Sequence, residues 1–73
     1  MENKLTSSQQ VIFDCVKRYC KTHREAPTLR EICDMANLKT ISTVQVHLQN
    51  LQKKGYVDIE PRIKRGIIIL KED

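Results

Sequence analysis

The sequence predicts a mainly α-helical chain that closes with a small β-hairpin: three helices, then a two-stranded antiparallel sheet. Three observations lead there. Thr6-Ser7-Ser8-Gln9 and Thr28-Leu29-Arg30-Glu31 each place a hydroxyl three residues ahead of Gln or Glu, the pattern of a capping box at a helix start. Apolar residues after each box, and again at Ile41, Val44, Leu48 and Leu51, recur at steps of three and four, which lines up one side of a 3.6-residue helix. Beyond Gly55 the period changes, and two short apolar runs at 56–60 and 67–70 flank a segment ending in Gly66.

The first helix is expected over Ser7–His23, with Ile12, Phe13, Val16, Tyr19 and Cys20 as the buried stripe and Lys17, Arg18 and Lys21 outward. Those cations read as solvation. The helix start has two readings: a plain solvated cap, or free N–H groups that hold a phosphate with the hydroxyls of Ser7 and Ser8. Pro27 pushes Ala26 out of helical geometry, so residues 24–27 form a connector. Leu29, Ile32, Cys33 and Ala36 then make a short second helix ending near Ala36, with Met35 as a partner in the core. Asn37 tolerates left-handed geometry, so Asn37, Leu38 and Lys39 can form a tight turn before Thr40 caps the next helix.

The third helix, over 40–54, has two different faces. Ile41, Val44, Leu48 and Leu51 belong to the core. The other side carries Ser42, Thr43, Val46, Gln49, Asn50 and Lys53, short hydroxyls and amides around one aliphatic group rather than the Glu/Lys mixture of a solvated helix. Such a surface suits base-pair edges. Gln and Asn can bond adenine bidentately, Ser and Thr donate or accept, and an aliphatic group can touch the thymine methyl. Val46 has a plainer reading as an ordinary surface valine; its neighbours Ser42, Thr43 and Gln49 favour the methyl contact. Gly55 supplies the helix stop, with Lys53 and Lys54 against the negative end of the dipole.

Two helices joined by a tight turn, the second polar on its outer face, constitute a helix-turn-helix. The hairpin completes a winged helix-turn-helix. Its loop, residues 61–66, holds Arg62, Lys64 and Arg65, which would place Lys64 and Arg65 near the backbone or minor groove of a duplex. The alternative is a charged hairpin tip that is simply solvated.

Composition bounds the rest. Seventy-three residues make one domain, spanning 1–73, with a modest, mainly aliphatic core and no room for a deep enzyme cleft. The formal charge is +4 with a pI near 9.2, and its distribution is uneven. Residues 1–38 hold six basic and five acidic side chains, whereas residues 39–66 hold six basic and two acidic. The excess therefore accompanies the third helix and the loop, as expected of a phosphate-binding face. Cys15, Cys20 and Cys33 are odd in number and lack metal or redox spacing, so they read as reduced, mostly buried residues of a cytoplasmic protein. The polar start MENKLTSSQQ does not resemble a signal peptide, and no apolar run approaches membrane-spanning length. His23 and His47 stand apart, Asp14 and Glu31 lack a partner acid, and no Gly-rich phosphate loop occurs. No enzyme, metal, cofactor or small-molecule ligand is expected.

The segments LTSSQQVIFD at 5–14, APTLREI at 26–32, HLQNLQKKGYVDI at 47–59 and RGIIIL at 65–70 together resemble the N-terminal DNA-binding domain of the LexA repressors, in register over about nine tenths of the chain. The resemblance implies a winged helix-turn-helix that binds double-stranded DNA at an operator, usually as a dimer. Carried residue by residue, it implies base reading at Thr40, Ser42, Thr43, Gln45 and Val46, and phosphate contact at Lys54, Lys64 and Arg65. Gln49 joins the reading side, and Lys39 and Lys53 join the phosphate ligands flanking the third helix.

Two departures matter. Gln45 and Val46 stand where the family usually has acidic side chains, so an operator sequence does not carry over, and Asn37 replaces the usual glycine of the turn. LexA repressors also continue into a self-cleaving, dimerising domain with a Ser–Lys dyad and an Ala-Gly cleavage site. None of that occurs in these 73 residues, so no self-cleavage is expected, and the chain reads either as a fragment or as a small stand-alone regulator. The reading is a sequence-specific transcriptional repressor whose single copy binds weakly and needs paired half-sites, hence a homodimer. Two rivals remain: a winged-helix protein-interaction module, and a non-specific architectural DNA binder.

Overall fold

A computed structural model describes residues 4–71. Residues 1–3 and 72–73, which fall within the expected 1–73 domain, lie outside the described residues. The element order is α1 (Ser7–His23), α2 (Leu29–Met35), α3 (Ile41–Lys53), β1 (Val57–Ile59) and β2 (Ile67–Ile69). This is the three-helix, two-strand winged helix-turn-helix that the sequence predicts.

The helix starts follow from their caps. At α1, Thr6 Oγ1 accepts from the Gln9 amide at 3.2 Å and Gln9 Oε1 accepts from the Thr6 amide at 3.1 Å. At α2, Thr28 and Glu31 repeat the exchange at 3.2 and 2.8 Å. Each box satisfies two N–H groups that the first helical turn leaves unpaired. Thr40 departs from the pattern. It flanks α3 in extended geometry without a side-chain cap, and its hydroxyl instead meets that of Thr43 at 3.0 Å. Residue 43 offers a hydroxyl where the other two boxes offer a long acceptor.

The ends of α2 and α3 are built alike. Asn37 (φ 60°) and Gly55 (φ 83°) are both left-handed. Leu38 N–H reaches Cys33 O at 2.9 Å and Asn37 N–H reaches Asp34 O at 3.2 Å, while Tyr56 and Gly55 bond Leu51 O and Gln52 O at 3.0 Å each. Both are paired closures of the Schellman type, which reverse the chain within two residues. The first joins α2 to α3, and the second leads from the end of α3 into β1.

Ile12, Phe13 and Val16 of α1, Ile32 and Cys33 of α2, Val44, Leu48 and Leu51 of α3, and Val57 and Ile67 of the hairpin form one core. The ring of Phe13 meets Tyr56 edge-on at 5.2 Å, joining α1 to the chain just before β1. Two residues expected inside are not. Ile41 is 36% and Met35 41% exposed. Ile41 opens α3, where no neighbouring element yet covers the helix. Met35 sits roughly 110° around the short α2 from the centre of its buried stripe, at 100° per residue. Cys15 and Cys33 are buried and Cys20 half-buried, all as free thiols, and burial pushes the Cys15 and Cys20 thiols up, away from the reactive thiolate. No helix among the described residues is long and apolar enough to cross a membrane.

In the antiparallel hairpin Val57 pairs with Ile69, Asp58 with Ile68 and Ile59 with Ile67. Alternation follows: Val57 and Ile67 are buried, while Asp58 and Ile68 face outward. The strands are shorter than the apolar runs, since Leu70 adds only one bond, from its N–H to Tyr56 O at 2.9 Å. The wing is closed at its neck by Glu60 N–H donating to Gly66 O at 2.8 Å. A Cβ on Gly66 would lie 2.4 Å from Glu60 O, so only glycine fits there.

Candidate nucleic-acid interface

The outward side of α3 is open. Ser42, Thr43, Gln45, Val46 and Gln49 are exposed, with Val46 at 54%, and Asn50 is half-buried. Residues 40–50 contain no ionisable side chain except His47, so what this side offers is hydroxyls, amides and one aliphatic group. Helical geometry puts Val46 between Ser42 and Thr43 on one turn and Gln49 and Asn50 on the next. The Thr40 and Thr43 hydroxyls, held together, stand at the leading edge.

An open cleft of about 630 Å³ separates α3 from the wing. Gln45, Gln49 and Gln52 form one wall, Ile59, Glu60, Pro61, Ile63, Lys64 and Gly66 the other, and Thr28, Leu29 and Arg30 from the start of α2 close one end. A shallower depression of about 390 Å³ is lined by Lys39, Ile41 and Ser42 together with Asp34 and Leu38. Gln45 and Arg30 belong to both, so they form the ridge between them. The fold thus brings Gln45, Gln49 and Lys64 into one cleft and Lys39, Ser42 and Gln45 into the other. Arg30 was not among the residues singled out in the sequence. It follows a capping threonine by two positions and is exposed, a weak signal that only its place between the two depressions makes informative.

The basic residues divide. Lys39, Lys53 and Lys64 are exposed and make no hydrogen bond or ion pair among the described residues. Lys54 differs: its Nζ donates to Lys4 O at 2.7 Å and to Gln9 Oε1 at 2.8 Å, tying the end of α3 to the start of α1. Arg65 is more heavily engaged. Its guanidinium donates to both oxygens of Glu31 at 2.9 and 3.1 Å, to Ala26 O at 2.8 Å and to the Tyr19 hydroxyl at 3.3 Å, with Glu25 at 3.7 Å. That pairing, with the Thr28 amide and the Tyr19 hydroxyl, holds the Glu31 carboxyl at about 2, well below its ordinary range. Ser7 and Ser8 are exposed on the first turn of α1, outside both depressions, as are Thr43, Val46 and Lys53.

His47 is half-buried on the flank of α3 with Nδ1 enclosed and unpartnered, and His23 lies against the Tyr19 ring at 4.1 Å. Among the described residues, neither belongs to a cluster of three or more His, Cys, Asp or Glu side chains that could hold a metal ion.

The family described as the LexA DNA binding domain matches residues 2–66. The chain is similar to the LexA repressor of Caldicellulosiruptor saccharolyticus, 40% identical over 73 residues, all of this chain and 36% of that protein. It is 41% identical over 70 residues to the LexA repressor of a Geobacillus species, covering 96% of this chain and 34% of that one. With the LexA repressor of Desulfatibacillum aliphaticivorans it shares 37% identity over 67 residues, 92% of this chain and 33% of the other. The chain thus spans about a third of the length of these curated relatives.

Proposed function

The chain belongs to the LexA DNA binding domain family, and from that premise we propose that it binds double-stranded DNA by sequence and represses transcription by occupying an operator. The observation that carries the reading is the open, uncharged side of α3, whose Gln45 and Gln49 line the same cleft as Lys64. α3 enters the major groove. Gln45 and Gln49 bond adenine edges, the hydroxyls of Thr40, Ser42 and Thr43 take donors or acceptors, and Val46 meets a thymine methyl. With no guanidinium and no carboxylate at 40–50, the half-site is richer in A·T than in G·C pairs under this helix. One strand's backbone passes through the cleft between Arg30 and Lys64, while Lys39 and Lys53 hold phosphates at either end of α3 and Ser7 and Ser8 hold one at the start of α1.

A single domain makes few base contacts, so tight control requires two copies on paired half-sites, in the cytoplasm where the DNA is. No catalytic step is assigned to it. Selection of bound duplexes from random DNA, beside a mass measurement in solution, tests this. The expected result is a defined half-site whose preference changes when Ser42 and Gln45 become alanine, with affinity falling steeply as salt rises. Binding that ignores both sequence and these substitutions would leave the architectural role, and the absence of salt-dependent DNA binding would leave a protein-interaction module.

A further inference from the structure

The wing is a weak element by itself. Two strands of three residues each make a hairpin that is marginal in water unless something else holds it. Val57 and Ile67 anchor its base in the core, but loop residues 60–66 project beyond that base. Within the loop the polar contacts are local: Ile63 N–H to Glu60 O at 3.2 Å and Arg62 N–H to Glu60 Oε1 at 3.2 Å. Among the described residues, every hydrogen bond or ion pair from the loop to the helices runs through Arg65.

The receiving end is equally specific. Glu31 Oε1 already accepts the Thr28 amide of the α2 cap, and Oε2 accepts the Tyr19 hydroxyl of α1. Both oxygens also accept Arg65, in a two-pronged arrangement that fixes direction as well as distance. The connector carbonyl of Ala26 completes the seat. α1, the connector, α2 and the wing therefore meet at one ion pair, Glu31–Arg65, and the residue preceding Arg65 is Lys64, which lines the cleft.

We propose that Arg65 is a positioning residue rather than a phosphate ligand: through Glu31 it fixes the wing so that Lys64 reaches the DNA backbone across the cleft from Gln45 and Gln49. The proposal rests on the DNA-binding reading above. It separates from a simple charge account by sign. Glu31→Gln removes an acid and raises the formal charge, so charge alone would tighten DNA binding. Loss of the clamp weakens it. Arg65→Lys keeps the charge but loses the fork, so charge alone leaves affinity unchanged and clamp loss again weakens it.

The experiment measures affinity for the selected duplex against salt for the wild type, E31Q, R65K, K64A and the double variant E31Q/K64A. Circular dichroism at the binding temperature establishes that each is folded. E31Q and R65K are expected to weaken binding by about the same factor as K64A, on the order of threefold to tenfold, and to lower the salt slope by about one although R65K removes no charge. The double variant is expected to bind no more weakly than K64A. The proposal is overturned if E31Q binds as tightly as the wild type or tighter, or if the E31Q and K64A losses multiply. Should E31Q not fold, R65K decides alone. Should the wild type bind no duplex, the DNA-binding reading fails, and the clamp is tested in the free protein by hydrogen exchange at the Glu60 amide. Faster exchange in R65K upholds the clamp, and an unchanged rate overturns it.

Discussion

At the end of α3, Lys53 projects into solvent while Lys54 beside it donates to Gln9 and to the backbone of Lys4. In the wing, Lys64 faces the cleft while Arg65 beside it closes on Glu31. Each adjacent pair of cations thus has one member turned outward and one that joins elements far apart in sequence. The difference teaches how much of a positive surface is available to a polyanion. A count of basic residues over 39–66 overstates it, because the inner member of each pair already has acceptors within the fold. What remains exposed over 39–66 is Lys39, Lys53, Arg62 and Lys64, with Arg30 at the end of the cleft.

The sharpest way to break that comparison is to remove each wing cation. Arg65→Ala is expected to lower the thermal unfolding midpoint on the order of 5 °C as well as weakening DNA binding. Lys64→Ala should weaken DNA binding with the midpoint unchanged, and equal midpoints for the two variants would show that the fold does not distinguish them. A smaller effect is expected at the end of α3. There Lys53→Ala should lower the salt slope of DNA binding by about one, whereas Lys54→Ala leaves the slope unchanged and shifts the unfolding midpoint.

The smallest effect is in pH. Glu31 has a folded pKa of about 2, lowered from an ordinary 4.5, so the stability it contributes is fully present above the ordinary value. It is lost as pH falls through the interval down to about 2. Thermal scans across that interval should show a shallower loss of stability in E31Q than in the wild type, and parallel curves would mean that Glu31 is not the titrating group.

Local signals made most of the fold legible. Two reciprocal caps fixed the starts of α1 and α2, and Asn37 and Gly55 marked reversals that a left-handed residue makes possible. The side of α3 left outside the core was legible too, since Val44, Leu48 and Leu51 define the opposite stripe. Ile41 and Met35 were misplaced because periodicity assigns a residue to a side of a helix but cannot say where neighbouring elements stop covering it. Arg65 and Lys54 were unreadable for a different reason. Their partners lie 34 and 45 residues away, and no spacing rule links a wing to a cap at that separation. Glu31 looked complete as a capping residue, with nothing in its neighbourhood to suggest that its other lone pairs were taken.

The Thr28–Glu31 cap therefore has a bearing on how this molecule can change. A substitution at position 31 alters the start of one helix, the hydroxyl of another and the seat of the hairpin in the same stroke. Variation along the outward side of α3 is free of that linkage, because among the described residues Ser42, Gln45 and Val46 make no hydrogen bond or ion pair with any of the three. With α3 reading bases as proposed, new preferences can thus accumulate along it while the frame that presents them stays fixed.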